Sequence, residues 1–196
     1  MKNYLLLCIA VVFSFPGHAQ TTRYGLTLGG NFTQLNGRGL NNSYSLGFVA
    51  GAYAKVPLDD KWTLQPEVFF NFANSQKGDD FSEVYNDDGN PNARNSIGLS
   101  YISVPILLEY KVTKLLALDA GPQYDLLLDD NEDLVASGKQ AFKVNNLGVS
   151  GGAELNLTGI HVFANYVFGV SNVNNIDNRY KWHKNEALVG FDFNIL

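Results

Sequence analysis

Polar and apolar residues alternate with a period of two along most of the chain from residue 23 onward, and no comparable stretch carries helical spacing. Segment 102–110, ISVPILLEY, shows the pattern. Ile102, Val104, Ile106, Leu108 and Tyr110 share one parity, while Ser103, Pro105, Leu107 and Glu109 share the other. The alternation predicts eight strands, at 23–35, 44–56, 62–74, 97–112, 115–128, 145–157, 160–171 and 186–195. Connections alternate as well: 57–61, 113–114 and 158–159 are tight turns, whereas 36–43, 75–96, 129–144 and 172–185 are longer and polar. Short turns at one end and long loops at the other are the pattern of an up-and-down barrel in an outer membrane, with the turns in the periplasm. An even strand number brings both termini to the short-turn end.

Charge placement sharpens this reading. The apolar parity carries Tyr24, Leu26, Leu28 and Phe32, then Leu46 and Phe48, then Trp62, Leu64, Val68, Phe70 and Phe72, and continues so to Phe191, Phe193 and Ile195 without a charge. The opposite parity holds Arg23, Lys55, Glu67, Glu109, Lys111, Asp119, Asp125, Glu154, His161 and Asp192. A soluble barrel would pack the apolar face inside. Eight strands leave little interior room, and the glycines Gly47, Gly51, Gly121, Gly148 and Gly152 share the polar parity, so the bulky apolar face points out. Aromatics near strand ends (Tyr24, Tyr44, Trp62, Tyr110, Tyr124) match interfacial girdles. The expectation is an all-β, eight-stranded antiparallel up-and-down transmembrane β-barrel in the outer membrane, a monomer surrounded by lipid. A soluble barrel released into the periplasm is the alternative.

Residues 1–19 have the layout of a secretory signal peptide: Lys2, an apolar run from Leu5 to Phe15, and small residues before Ala19. Residues 20–196 then form one barrel domain. The only cysteine, Cys8, lies in the signal, which leaves no disulfide or thiol chemistry. A formal charge of −5 without a basic cluster argues against nucleic-acid binding.

Four segments, LQPEVFFNFANSQKG (64–78), YISVPILLEY (101–110), GPQYDLLL (121–128) and NNLGVSGGAELNLTGIHVFANYVFGVSNV (145–173), occur in the order of the PorT-like outer-membrane β-barrel family of the Bacteroidetes, which the chain resembles. The resemblance implies the barrel fold, the outer membrane and, through the link of PorT to protein secretion, an accessory role in secretion or gliding. Asn165-Tyr166 stands where the family often has Arg-Tyr, so a cation of the interior is missing there. At the C-terminal end Gly190, Phe193 and Ile195 fit the pattern of insertion signals, with Leu188 apolar at a usually polar position and Leu196 overhanging.

The inward charges admit two readings, acid/base or ion-path machinery and a polar plug in which carboxylates pair with Arg23, Lys55 and Lys111. The narrow interior favours the plug. A turn centred on Lys114 would set Glu109 opposite Asp119, an unfavourable pair that needs a cation such as Lys111, Lys55 or Arg23 between them, or a carboxyl that keeps its proton. Pro105 and Pro122 each remove a ladder donor, which predicts a bulge or break beside each. His161 is placed opposite Asn156 and near Glu154, away from Ser150 and Ser171, so no nucleophile–base pair assembles.

The loops are acidic at 75–95 and 129–133, where oxygen-rich side chains suit calcium, but the spacing fails the EF-hand pattern and a solvated loop accounts for them. Tyr180, Trp182 and His183 are candidate exposed contacts on the last loop. The resulting expectation is a non-enzymatic membrane-embedded scaffold or binding protein without cofactor or metal, meeting a protein partner through extracellular loops or periplasmic turns. A narrow passive pore is the alternative, and a lipid-modifying enzyme ranks third.

Overall fold

The structure is a computed structural model and describes residues 22–78, 81, 84, 96–130 and 141–195. The signal-peptide expectation for 1–19 and much of the two acidic loops lie outside the described residues. Eight strands follow in order: β1 (Arg23–Asn36), β2 (Ser45–Pro57), β3 (Trp62–Gln76), β4 (Ser96–Lys111), β5 (Leu116–Asp130), β6 (Asn145–Asn156), β7 (Ile160–Gly169) and β8 (His183–Asn194). Each pairs antiparallel with its neighbours, and β8 pairs with β1, closing the barrel. Closure leaves no edge strand with unpaired backbone groups, which is the condition for strands to cross hydrocarbon.

Outward side chains confirm which solvent each face meets. Leu28, Leu46, Phe168 and Val189 stand 50–63% exposed, a large apolar surface that no described residue covers. Inward positions, such as Asn31, Asn71, Asp125 and Glu186, are fully buried. Trp62 and Tyr110 pack ring to ring 4.7 Å apart at the short-turn end, as interfacial anchors do.

Local chemistry sets the three tight turns. Asp59 Oδ1 accepts from the Lys61 and Trp62 amides at 2.7 and 2.8 Å. Thr113 Oγ1 accepts from the Leu115 and Leu116 amides. Gly159 turns the chain at φ 85°, where a side chain would be strained.

Prolines interrupt the ladders where donors are missing. Between β3 and β4 pairing runs to Pro66↔Ile106 and resumes at Phe69↔Ser103, skipping Pro105. Between β4 and β5 it runs from Pro105↔Gln123 to Leu108↔Ala120, skipping Pro122. Pro66 has the same effect between β2 and β3, where Tyr53↔Glu67 is followed by Val56↔Leu64. The register continues unshifted across all three gaps, so these are breaks in bonding. The one register shift in the β4–β5 pairing, at Ser100/Tyr101, lies farther out. β8 begins three residues before the predicted strand, at His183, which carries inward pairing into the segment read as loop.

Candidate functional site

The barrel interior is stacked in layers from the periplasmic end outward. Innermost on that side is an ion network. Lys55 Nζ on β2 donates to Glu109 Oε2 on β4 at 2.7 Å and also to Glu154 Oε1 on β6. His161 Nδ1 on β7 lies 2.9 Å from Glu154 Oε1 and 2.7 Å from Asn156 Oδ1. The other ring nitrogen meets Asn194 Nδ2 at 2.8 Å, and Asn194 Oδ1 accepts from the Tyr53 hydroxyl. Both nitrogens of His161 are thus engaged. Glu109 opposes Asp119 in the β4–β5 register, and Lys55 reaches Glu109 from the other side. Such a buried cation between carboxylates offsets a desolvation cost that neither partner could carry alone.

Next comes a small cavity of about 20 Å³, with Glu67, Asp119 and Asp192 among its lining residues. Gln65 donates to Glu67, Asn165 to Asp119 and Thr27 to Asp192, all at 2.6 Å. Space of this size holds about one water molecule. An apolar belt of Val49, Phe69, Val167 and Leu188, with Phe163 against it, crosses the lumen beyond.

A second ion network lies above the belt. Lys184 Nζ sits 3.0 Å from Asp125 Oδ2, 3.3 Å from Glu186 Oε2 and 4.4 Å from the centre of the Tyr101 ring. Asn71 donates to both oxygens of Glu186, Thr33 to one of them, and Gln123 and Asn146 to Asp125. The outermost layer is an apolar cap in which Leu35, Leu40, Leu99, Phe142, Val173 and Trp182 are buried together.

Three sequence expectations are corrected here. Arg23 and Lys111 have inward parity but lie at the open ends of their strands, exposed at the periplasmic mouth, and take no part in the buried networks. Trp182 is no exposed contact: it is fully buried, its indole N–H donating to the Arg38 carbonyl at 3.3 Å and its ring 5.4 Å from Phe142. His183 belongs to β8, paired with Asn36 and half-buried, while Tyr180 is half-buried between the guanidinium groups of Arg38 and Arg179. Sequence reading missed Lys184 and Glu186, although they continue the parity of Leu188, Gly190 and Asp192. At the periplasmic rim the Lys61 and Trp62 amides hold the Asp59 carboxyl below the usual carboxylate range.

A family model described as an outer membrane protein beta-barrel domain matches residues 18–175, most of the chain. The chain belongs to that family. Its place is the outer membrane. Among solved structures, Ail, the attachment invasion locus protein of Yersinia pestis, in complex with the heparin analogue sucrose octasulfate, is similar at TM-score 0.53 and 10% identity, over 90% of this chain and 100% of that one. Neisserial surface protein A is similar at TM-score 0.55 and 12% identity, over the same shares. At these identities the likeness is one of fold. No curated protein matches the sequence. Family membership is broader than the PorT-like resemblance.

Proposed function

We propose that this protein is a non-enzymatic outer-membrane scaffold that works at its two ends, docking a protein partner through its extracellular loops or its periplasmic turns. The observation that carries this reading is the filled lumen: two ion networks, an apolar belt and an apolar cap succeed one another along the axis, and the cavity between them holds about one water. A barrel so filled offers chemistry and shape at its ends. Catalysis is not favoured, because His161 spends both nitrogens on Glu154, Asn156 and Asn194. The resemblance to PorT-like proteins makes components of a secretion or gliding system the first partners to seek.

Two measurements test the reading. The purified barrel in planar lipid bilayers is expected to show no stepwise single-channel conductance, and discrete conductance would establish the pore reading instead. Cross-linking in intact cells, followed by capture of the barrel from detergent-solubilised outer membrane, is expected to bring down one partner in stoichiometric amount. Recovery of the barrel alone would refute the scaffold role.

A further inference from the structure

The periplasmic mouth of the barrel holds a pocket of about 380 Å³, among whose lining residues are Arg23, Lys55, Asp60, Glu109, Lys111 and His161. Its volume falls among small-molecule sites, which run from about 300 to 1,000 Å³. The floor is spent: Lys55 is bonded to Glu109 and Glu154, and His161 is engaged at both ring nitrogens. Asp59, also in the lining, has Oδ1 occupied by two turn amides. Three charges remain to receive a ligand. The Arg23 guanidinium has no hydrogen bond or ion pair among the described residues. Lys111 makes one long contact, 3.4 Å to the Asp60 carbonyl. The Asp60 carboxylate stands exposed in the turn beside them.

Register makes Arg23 the focus. It lies directly opposite Lys55 on β2. Glu109 and Glu154 neutralise Lys55, and among the described residues no carboxylate pairs with Arg23. An anionic group on Arg23 would make charge-assisted bonds to the guanidinium fork. A plain anion would leave Asp60 facing like charge, whereas a ligand with a carboxylate and an ammonium group satisfies both sides. We propose that the mouth binds a small zwitterion of amino-acid or dipeptide size, its carboxylate on Arg23 and Lys111 and its ammonium on Asp60. The pocket is blind, because the Lys55 network closes its inner end, so the ligand enters and leaves from the periplasm. The site stands whether or not the extracellular loops or periplasmic turns dock a partner.

The test uses the full barrel in detergent micelles, with amide shifts followed as glycylglycine is titrated. Saturable shifts are expected at the amides of Arg23, Asp60 and Lys111. N-acetylglycine, which lacks the ammonium, and glycinamide, which lacks the carboxylate, should each bind at least about tenfold more weakly, a loss of one good polar interaction. Arg23→Gln and Asp60→Asn should each weaken glycylglycine by a similar factor of about ten. Both positions are exposed, so barrel dispersion in the same spectra reports the fold independently. Absence of saturable binding overturns the proposal, and so does equal binding by Arg23→Gln or by N-acetylglycine.

Discussion

Glu109 and Asp119 face each other directly across the β4–β5 hairpin, and the cation that makes this tolerable comes from neither strand: Lys55 Nζ on β2 lies 2.7 Å from Glu109. The same ammonium serves Glu154 on β6. Lys55→Met would leave buried carboxylates without their cation, and breaking a buried pair in this way costs about 3–5 kcal/mol. That loss is the expected outcome for urea unfolding in lipid vesicles. Lys55→Met combined with Glu109→Gln and Glu154→Gln should recover most of it, because no uncompensated charge is then left inside.

Lys184 and Lys111 make a contrasting pair. Lys184 is fully buried between Asp125 and Glu186, whereas Lys111 is exposed at the mouth. Lys184→Met should cost about 3–5 kcal/mol by the same argument, and Lys111→Ala should stay within about 0.5 kcal/mol of the parent. Equal effects in vesicle unfolding would mean that parity, rather than depth, decides the role of an inward lysine.

That contrast marks where the sequence was legible. Period-two alternation assigned the inward and outward faces of every strand, because one face meets lipid and tolerates no charge. The turn at Lys114 gave the opposition of Glu109 and Asp119. Parity carries no information about depth, which is why Arg23 and Lys111 were grouped with Lys55. It also fails where a strand continues beyond the bilayer. Tyr180, Trp182, Lys184 and Glu186 follow the inward parity of β8, but their polar and aromatic neighbours resemble a solvated loop. Only tertiary packing of the cap shows that Trp182 is buried.

A pH dependence is expected at the β2–β3 turn. The Lys61 and Trp62 amides lower the Asp59 pKa from its ordinary 3.8. A carboxyl lowered by folding contributes stability above its unfolded pKa and loses it as pH falls through the folded value. Amide shifts of Lys61 and Trp62 should therefore titrate with a midpoint below 3.8. Asp59→Asn should abolish that titration while keeping a turn. A midpoint at or above the ordinary value would contradict the capping role.

Two glycines test which face is crowded. A Cβ built on Gly47 falls on the Phe72 carbonyl oxygen and on Asn31 Oδ1 inside the barrel, whereas one on Gly30 meets nothing closer than 3.8 Å. Gly47→Ala should cost about 1–3 kcal/mol, the usual range for overpacking. Gly30→Ala faces lipid and should leave stability within about 0.5 kcal/mol. The measurement is the unfolding midpoint in vesicles of matched lipid. A reversed order would place Gly47 on the lipid face.

The two tryptophans report separately on the surface and on the closed outer end. Trp62 stands at the lipid interface against Tyr110, while Trp182 lies in the buried apolar cap, touching Phe142. In a Trp62→Phe background the remaining emission should be blue-shifted and resistant to both acrylamide and brominated lipid, because neither water nor acyl chains reach Trp182. In a Trp182→Phe background brominated lipid should quench strongly. Trp182→Ala should cost about 3–5 kcal/mol, the range for removing a large buried aromatic, provided the cap and barrel unfold together. Free acrylamide access to Trp182 in the folded protein would mean that the outer end opens, and the filled-lumen argument would then fail at its outermost layer.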